Sequence, residues 1–185
     1  MTKKAIVDGT VGKRKNGETG FRALVPALIL SILTFWGCEG PDLSVPNIDQ
    51  IEAAYIYPGG LSAHVSGNVA EVTITQPARD LRRGGTLWAK VGPYVLLFSE
   101  ETQNLFRDFP GLAGVRVITR SSDGNEVARA LLPRDELNGI TWRRAQNISG
   151  LARRDGTRRP SLLEELVEWG EDHTEFTYNP QYSRP

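Results

Sequence analysis

The strongest constraint on this chain is a charge-free apolar run over residues 23–36 that stops at Gly37 and the sole cysteine, Cys38. Six basic and two acidic residues precede Cys38, and sixteen basic and twenty acidic residues follow it, so a leader of net +4 stands before a body of net −4. A positive segment, an apolar segment and a small residue at a boundary are the three parts of a secretory signal peptide. The apolar part partitions into the bilayer while the positive end stays cytoplasmic. The exported domain is then expected from the residues after that boundary. It has no internal disulfide, since one cysteine has no partner.

At Gly37-Cys38 the segment resembles the lipobox of bacterial lipoproteins, although Phe35 and Trp36 replace the Leu and the small residue usual at −3 and −2. The resemblance covers only the first forty or so residues. It implies that Cys38 becomes the acylated mature N-terminus. It also implies a protein facing the periplasm, with Glu39 in place of the inner-membrane-retaining Asp favouring the outer membrane. A multiply acylated cysteine is a much firmer anchor than a single chain. The alternative is an uncleaved helix holding an accessory subunit in an inner-membrane complex. Residues 23–36 would span roughly 21 Å as a helix, short of the roughly 30 Å hydrocarbon core.

The expected organisation is a leader over 1–37, a lipidated Cys38 and tether over 38–50, one domain over 51–180 and a disordered tail over 181–185. Pro41 and Pro46 disfavour helix in the tether. Alternation of Ile51, Ala53, Tyr55 and Tyr57 predicts a strand. Gly67-Asn68 predicts a tight turn between arms at 62–66 and 69–75. Residues 76–85 read as a loop, and 87–91 and 94–98 as strands separated by Gly92-Pro93. Ser99 is positioned to cap a helix over 100–109, which Pro110-Gly111 ends. A strand from Val115 turns at Asp123-Gly124 into an arm at 126–132. Thr141, Ala145, Ile148 and Ala152 recur at helical spacing, and Ser161 with Glu164 predicts a capping box for a second helix. A short strand is expected at 175–178. The sum is an α+β domain: a mainly antiparallel sheet of about six to eight short strands, one inserted helix and a C-terminal helical pair. The helix at 100–109 is a candidate crossover making one strand pair parallel.

The motifs for chemistry are sparse. Only Cys38, His64 and His173 offer thiolate or imidazole ligands, which excludes Cys₂His₂ and Cys₄ zinc sites, so no metal and no cofactor are expected. No G-x-S-x-G or comparable nucleophile motif accompanies either histidine. His173 is expected to be solvated. The pairs Glu100-Glu101 and Asp135-Glu136 are expected to serve helix N-termini. The tryptophans and tyrosines of the domain are expected chiefly in its core. Arg143, Arg144, Arg153, Arg154, Arg158 and Arg159 form a possible anion- or partner-binding surface, because guanidinium groups pair with phosphates and carboxylates. The competing expectation is that Glu164, Glu165, Glu168 and Glu171 neutralise them. No nucleic-acid module is visible. These features favour a non-enzymatic envelope lipoprotein that binds another envelope protein. A periplasmic enzyme would require a deep pocket with convergent polar groups.

Overall fold

The computed structural model describes residues 42–183. Its first element follows from a reciprocal cap. Asn47 Oδ1 accepts from the Gln50 amide at 2.8 Å, and Gln50 Oε1 accepts from the Asn47 amide at 2.9 Å. Two otherwise unpaired donors are satisfied, and helix α1 runs Ile48–Ala54. The strand expected at 51–57 is therefore a helix followed by a loop. Ile51 is its buried residue, and Tyr55, in extended conformation just after the helix, is buried as well. The expected tether is also docked in part. Pro46 is buried, the Gly111 amide donates to Ser44 O at 2.8 Å, and the Leu43–Ser44 backbone fills the space a Cβ at Gly111 would need. Residues 38–41 of that stretch lie outside the described residues.

Strands β1 (Leu61–Ser66) and β2 (Val69–Thr75) form the expected hairpin, with Gly67 at φ 62° in the left-handed region that glycine tolerates. From residue 76 the expectation fails. Helix α2 runs Ala78–Leu97 through the expected loop and both expected strands. Val91, Tyr94, Leu97 and Phe98 are all buried and follow helical spacing. Apolar residues also occupy neighbouring positions, so the periodicity looks strand-like over short windows. Pro93 removes one internal donor without ending the helix.

Helix α3 (Glu100–Asp108) starts as expected, with Ser99 Oγ accepting from the Thr102 amide at 3.3 Å. Strands β3 (Gly114–Arg120) and β4 (Glu126–Pro133) follow, joined through Gly124 at φ 85°. Helix α4 (Gly139–Asp155) is capped by Asn138, whose side chain accepts from the Ile140 and Thr141 amides. Asp135 and Glu136 precede that cap and are not first-turn acids. Helix α5 (Pro160–His173) starts one residue before Ser161, with Pro160 in its first turn, so the expected Ser161–Glu164 capping box does not form. Strand β5 (Glu175–Tyr178) leads into a 3₁₀ turn, Pro180–Ser183. There the Tyr182 hydroxyl meets Ser121 Oγ at 2.9 Å, so residues 181–183 of the expected disordered tail are held against the sheet.

The α+β class stands, but the sheet has five strands in the order β1-β2-β3-β4-β5 rather than six to eight. It is mixed: β2 and β3 are parallel and the other three pairings antiparallel. The crossover is α2 with α3, and the parallel partner of β3 is β2, not the segment 94–98. One core cluster draws Ile51, Val91, Leu105, Ala145 and Leu166 from the five helices onto Val72, Val115, Val117, Ala130 and Leu132 of the sheet. The helices thus share one face of the sheet.

Tyr94 lies at the centre of this layer. It is fully buried, stacks on Phe98 with ring centroids 5.8 Å apart and tilts against Phe176 at 5.2 Å. A Cβ at Gly170 would overlap the Tyr94 ring, so α5 approaches α2 this closely only through glycine. Gly170→Ala gains up to about 1 kcal/mol of helix propensity but forces an overpacked core, at a cost of about 1–3 kcal/mol. The expected outcome is net destabilisation, read as a lower chemical-denaturation midpoint. Burial also pushes the Tyr55 and Tyr94 phenols well above their ordinary range, against a smaller opposing effect of a neighbouring hydroxyl. The folded state then prefers both phenols neutral. That contribution is fully present below the unfolded tyrosine value of about 10 and is lost as pH rises past it. Thermal midpoints should therefore fall above about pH 10, and Tyr55→Phe should make that fall shallower.

Candidate functional site

Because the helices share one face of the sheet, the other face presents cross-strand rows set by register. One row reads His64, Glu71, Arg116, Leu131 and Glu175, and the next Ser62, Thr73, Ile118, Arg129 and Thr177. These residues are exposed or half-buried, whereas the alternate positions of β2, β3 and β4 are buried. Arg116 and Glu71 stand directly opposite on β3 and β2 and form an ion pair, the arrangement in which cross-strand charges meet. Arg129 Nε donates to Glu126 Oε1 at 2.6 Å. Over β3, β4 and β5 the face forms an open concavity of about 800 Å³, lined by Arg116, Arg129, Leu131, Glu175 and Thr177 among others. Arginines and carboxylates alternate there around apolar Leu131. That composition suits a mixed polypeptide surface better than a phosphate backbone, which would call for unopposed cations.

The six arginines singled out in the sequence are all exposed and do not converge on one place. Arg143 and Arg144 sit about 14–16 Å along the helix axis from Arg153 and Arg154, at about 1.5 Å per residue. Arg144 lies over the Trp169 ring at 4.5 Å, Arg154 pairs with Asp155 at 3.0 Å, and Arg158 and Arg159 lie in the turn before α5. The Arg144–Trp169 contact and the closeness of Gly156 to Leu163 show that α4 and α5 run antiparallel. Among the described residues no ion pair joins an α4 arginine to an α5 carboxylate, and Glu171 pairs with Lys90 at 2.7 Å instead. The expected charge contacts between the two helices do not form among the described residues.

His173 is half-buried rather than solvated. Its ring stacks on Trp169 at 4.1 Å, and Nδ1 lies 3.0 Å from Trp169 O. His64 is exposed on β1. No group of three or more His, Cys, Asp or Glu among the described residues is placed to hold a metal ion. Arg134, between Pro133 and Asp135, carries no motif and reads in the sequence as a surface charge. Its guanidinium donates to Leu112 O at 2.5 Å, to Phe106 O at 2.6 Å and to Phe109 O, and lies over the Phe106 ring at 5.2 Å. It thereby closes the C-terminal end of α3, whose last carbonyls lack helical partners.

The exposed arginines and the core of α5 should differ sharply in their effect on stability. Leu166 is fully buried, and Leu166→Ala should cost about 2–5 kcal/mol. Arg153→Ala and Arg154→Ala should each cost about 0–1 kcal/mol. Thermal melts of the three variants measure the difference.

Cys38 lies outside the described residues, and no helix among those described is long and apolar enough to cross a membrane. Comparison with protein-family models, curated proteins and solved structures finds no match to this chain.

Proposed function

We propose that the protein is a membrane-anchored lipoprotein of the bacterial cell envelope, lipidated on Cys38, and that its periplasm-facing domain binds another envelope protein through the open face of its sheet. The anchor rests on the sequence: a basic leader, the uninterrupted apolar run 23–36, Gly37 and the sole cysteine. The binding role rests above all on one observation, a sheet face left bare by the helices, where charges of both signs surround Ile118 and Leu131. Partner proteins recognise such mixed faces through a few half-buried apolar residues ringed by complementary charges. The groups along this face supply charge and shape. Outer-membrane placement follows from Glu39 within the same lipobox resemblance.

Two variants of the full-length protein test the two parts. Cys38→Ala should abolish metabolic labelling with palmitate and leave precursor-length protein in the membrane fraction. An unlabelled native protein would overturn the anchor. Ile118→Lys lies on the open face and should lower the unfolding free energy by no more than about 1 kcal/mol, the span of residue preferences at half-buried strand positions. It should remove the proteins that co-purify with the parent from membranes. An unchanged set of co-purifying proteins would overturn the assignment of the face.

A further inference from the structure

The end of the domain where the chain enters carries most of its exposed apolar side chains. The entering segment is fixed there: the Gly111 amide donates to Ser44 O at 2.8 Å, Pro46 is buried, and the reciprocal cap of Asn47 and Gln50 starts α1. From Gly111, just after α3, the chain leads back along that helix, since the Tyr55 hydroxyl meets Thr102 in the first turn of α3 at 2.7 Å. Helix α4 also runs opposite to α3. Gln146 donates to Gln103 at 2.9 Å, and one turn earlier in α4 Trp142 meets Phe106 edge-on. Helices α1 and α4 thus both start where α3 finishes.

Among the described residues the exposed large apolar side chains are Leu43, Val45, Ile48, Ile56 and Ile140, and all but Ile56 lie at this end. Leu43 and Ile140 are each 72% exposed. Apolar residues scattered singly over a surface need no explanation, but a cluster marks a contact with protein or membrane. The exposed acids Asp42, Asp49, Asp135 and Glu136 share this end, and Arg107 pairs with Asp108 at 2.9 Å, so charge does not draw it to an anionic surface. Chain length points to what covers the cluster. Leu43 is the fifth residue after Cys38, a reach of at most about 18 Å at about 3.3–3.6 Å per residue. In a chain anchored at Cys38, Leu43 lies no further than this from the lipid.

We propose that this end of the domain is seated in the bilayer surface, with Leu43, Val45, Ile48 and Ile140 entering the boundary between headgroups and acyl chains. The proposal rests on the lipid anchor at Cys38 and is independent of the open sheet face. Apolar side chains at such a boundary sit about 5–10 Å into it. The four residues come from two segments far apart in sequence, so they form a platform and set the tilt of the domain on the membrane. Ile140 is the decisive residue. Leu43 and Val45 stay near the lipid by chain length alone, whereas Ile140 reaches it only when the whole end is seated.

The test uses the full-length protein in nanodiscs of zwitterionic lipid, spin-labelled in turn on Ile140→Cys, Ile48→Cys and, as the control, Ile56→Cys. Acylated Cys38 offers no free thiol to the label. Intact mass is measured first: a native protein without acyl groups overturns the anchor and the docking with it. On acylated protein, the labels replacing Ile140 and Ile48 should be relaxed by oxygen, which concentrates in lipid, and lose access to a water-soluble nickel chelate. The label replacing Ile56 should stay open to nickel. Raising salt from about 0.1 to about 1 M, which shortens the Debye length from about 10 to about 3 Å, should leave this pattern unchanged. Adding Ile48→Asp to the Ile140→Cys protein should restore nickel access there. Equal nickel access at all three positions, or release of the Ile140→Cys label by salt, overturns the docking and leaves the anchor standing. Shielding of that label from nickel and oxygen alike marks a protein contact instead and overturns it too.

Discussion

The structure depends on the burial of one face of a five-stranded sheet under α2. Val72, Val115, Val117, Ala130 and Leu132 are fully buried against this layer. None of the strands brings a second apolar face rich enough to bury. At about 25 cal/mol per Å² of apolar surface removed from water, this single interface outweighs any ion pair on the molecule. Tyr94 anchors it by filling the space between α2, β5 and α5, and Gly170 is the residue that leaves room for the ring. The other helices add area to a contact that α2 defines.

One-sided burial also explains where polar groups are spent. The helix ends that face the core must be closed, and the chain closes them with side chains from distant segments. Arg134 turns back from the end of β4 to the carbonyls of α3. Thr102 donates to Leu96 O at 2.8 Å, and the Tyr55 hydroxyl joins it at 2.7 Å, linking α1, α2 and α3. The open face follows a different rule. Its charges can remain hydrated, so Arg116 and Glu71 pair across strands without the penalty a buried pair would carry.

The sequence discloses the parts of this fold whose signals are local. The β1–β2 and β3–β4 hairpins could be read from Gly67-Asn68 and Asp123-Gly124 between alternating arms, and α3 from Ser99. Helix α4 could be read from Ala145, Ile148 and Ala152, although its cap, Asn138, lies three residues before the expected start. Helix α1 was equally legible in Asn47 and Gln50, but the alternation of Ile51, Ala53, Tyr55 and Tyr57 masked that cap. Helix α2 was not legible, because its first half is polar and contains Gly84-Gly85, its second half is apolar at neighbouring positions, and Gly92-Pro93 ordinarily signals a break. The open face could not be foreseen either. It exists only once strand order and register are known, and those depend on the crossover through α2. Arg134 shares that limit, since it owes its role to carbonyls more than twenty residues away.

The strand order has a kinetic meaning. Each hairpin closes locally, β1 to β2 across two residues and β3 to β4 across five. The parallel seam between β2 and β3 forms only after the chain between Thr75 and Gly114 has been drawn together. The entropy of closing a loop grows with its length, and sheets joined by distant pairings assemble slowly. Two hairpins thus mature independently and meet through α2. The same seam divides the sheet into a hairpin, β1-β2, and a three-stranded antiparallel unit, β3-β4-β5, which meet only where the long crossover brings them together.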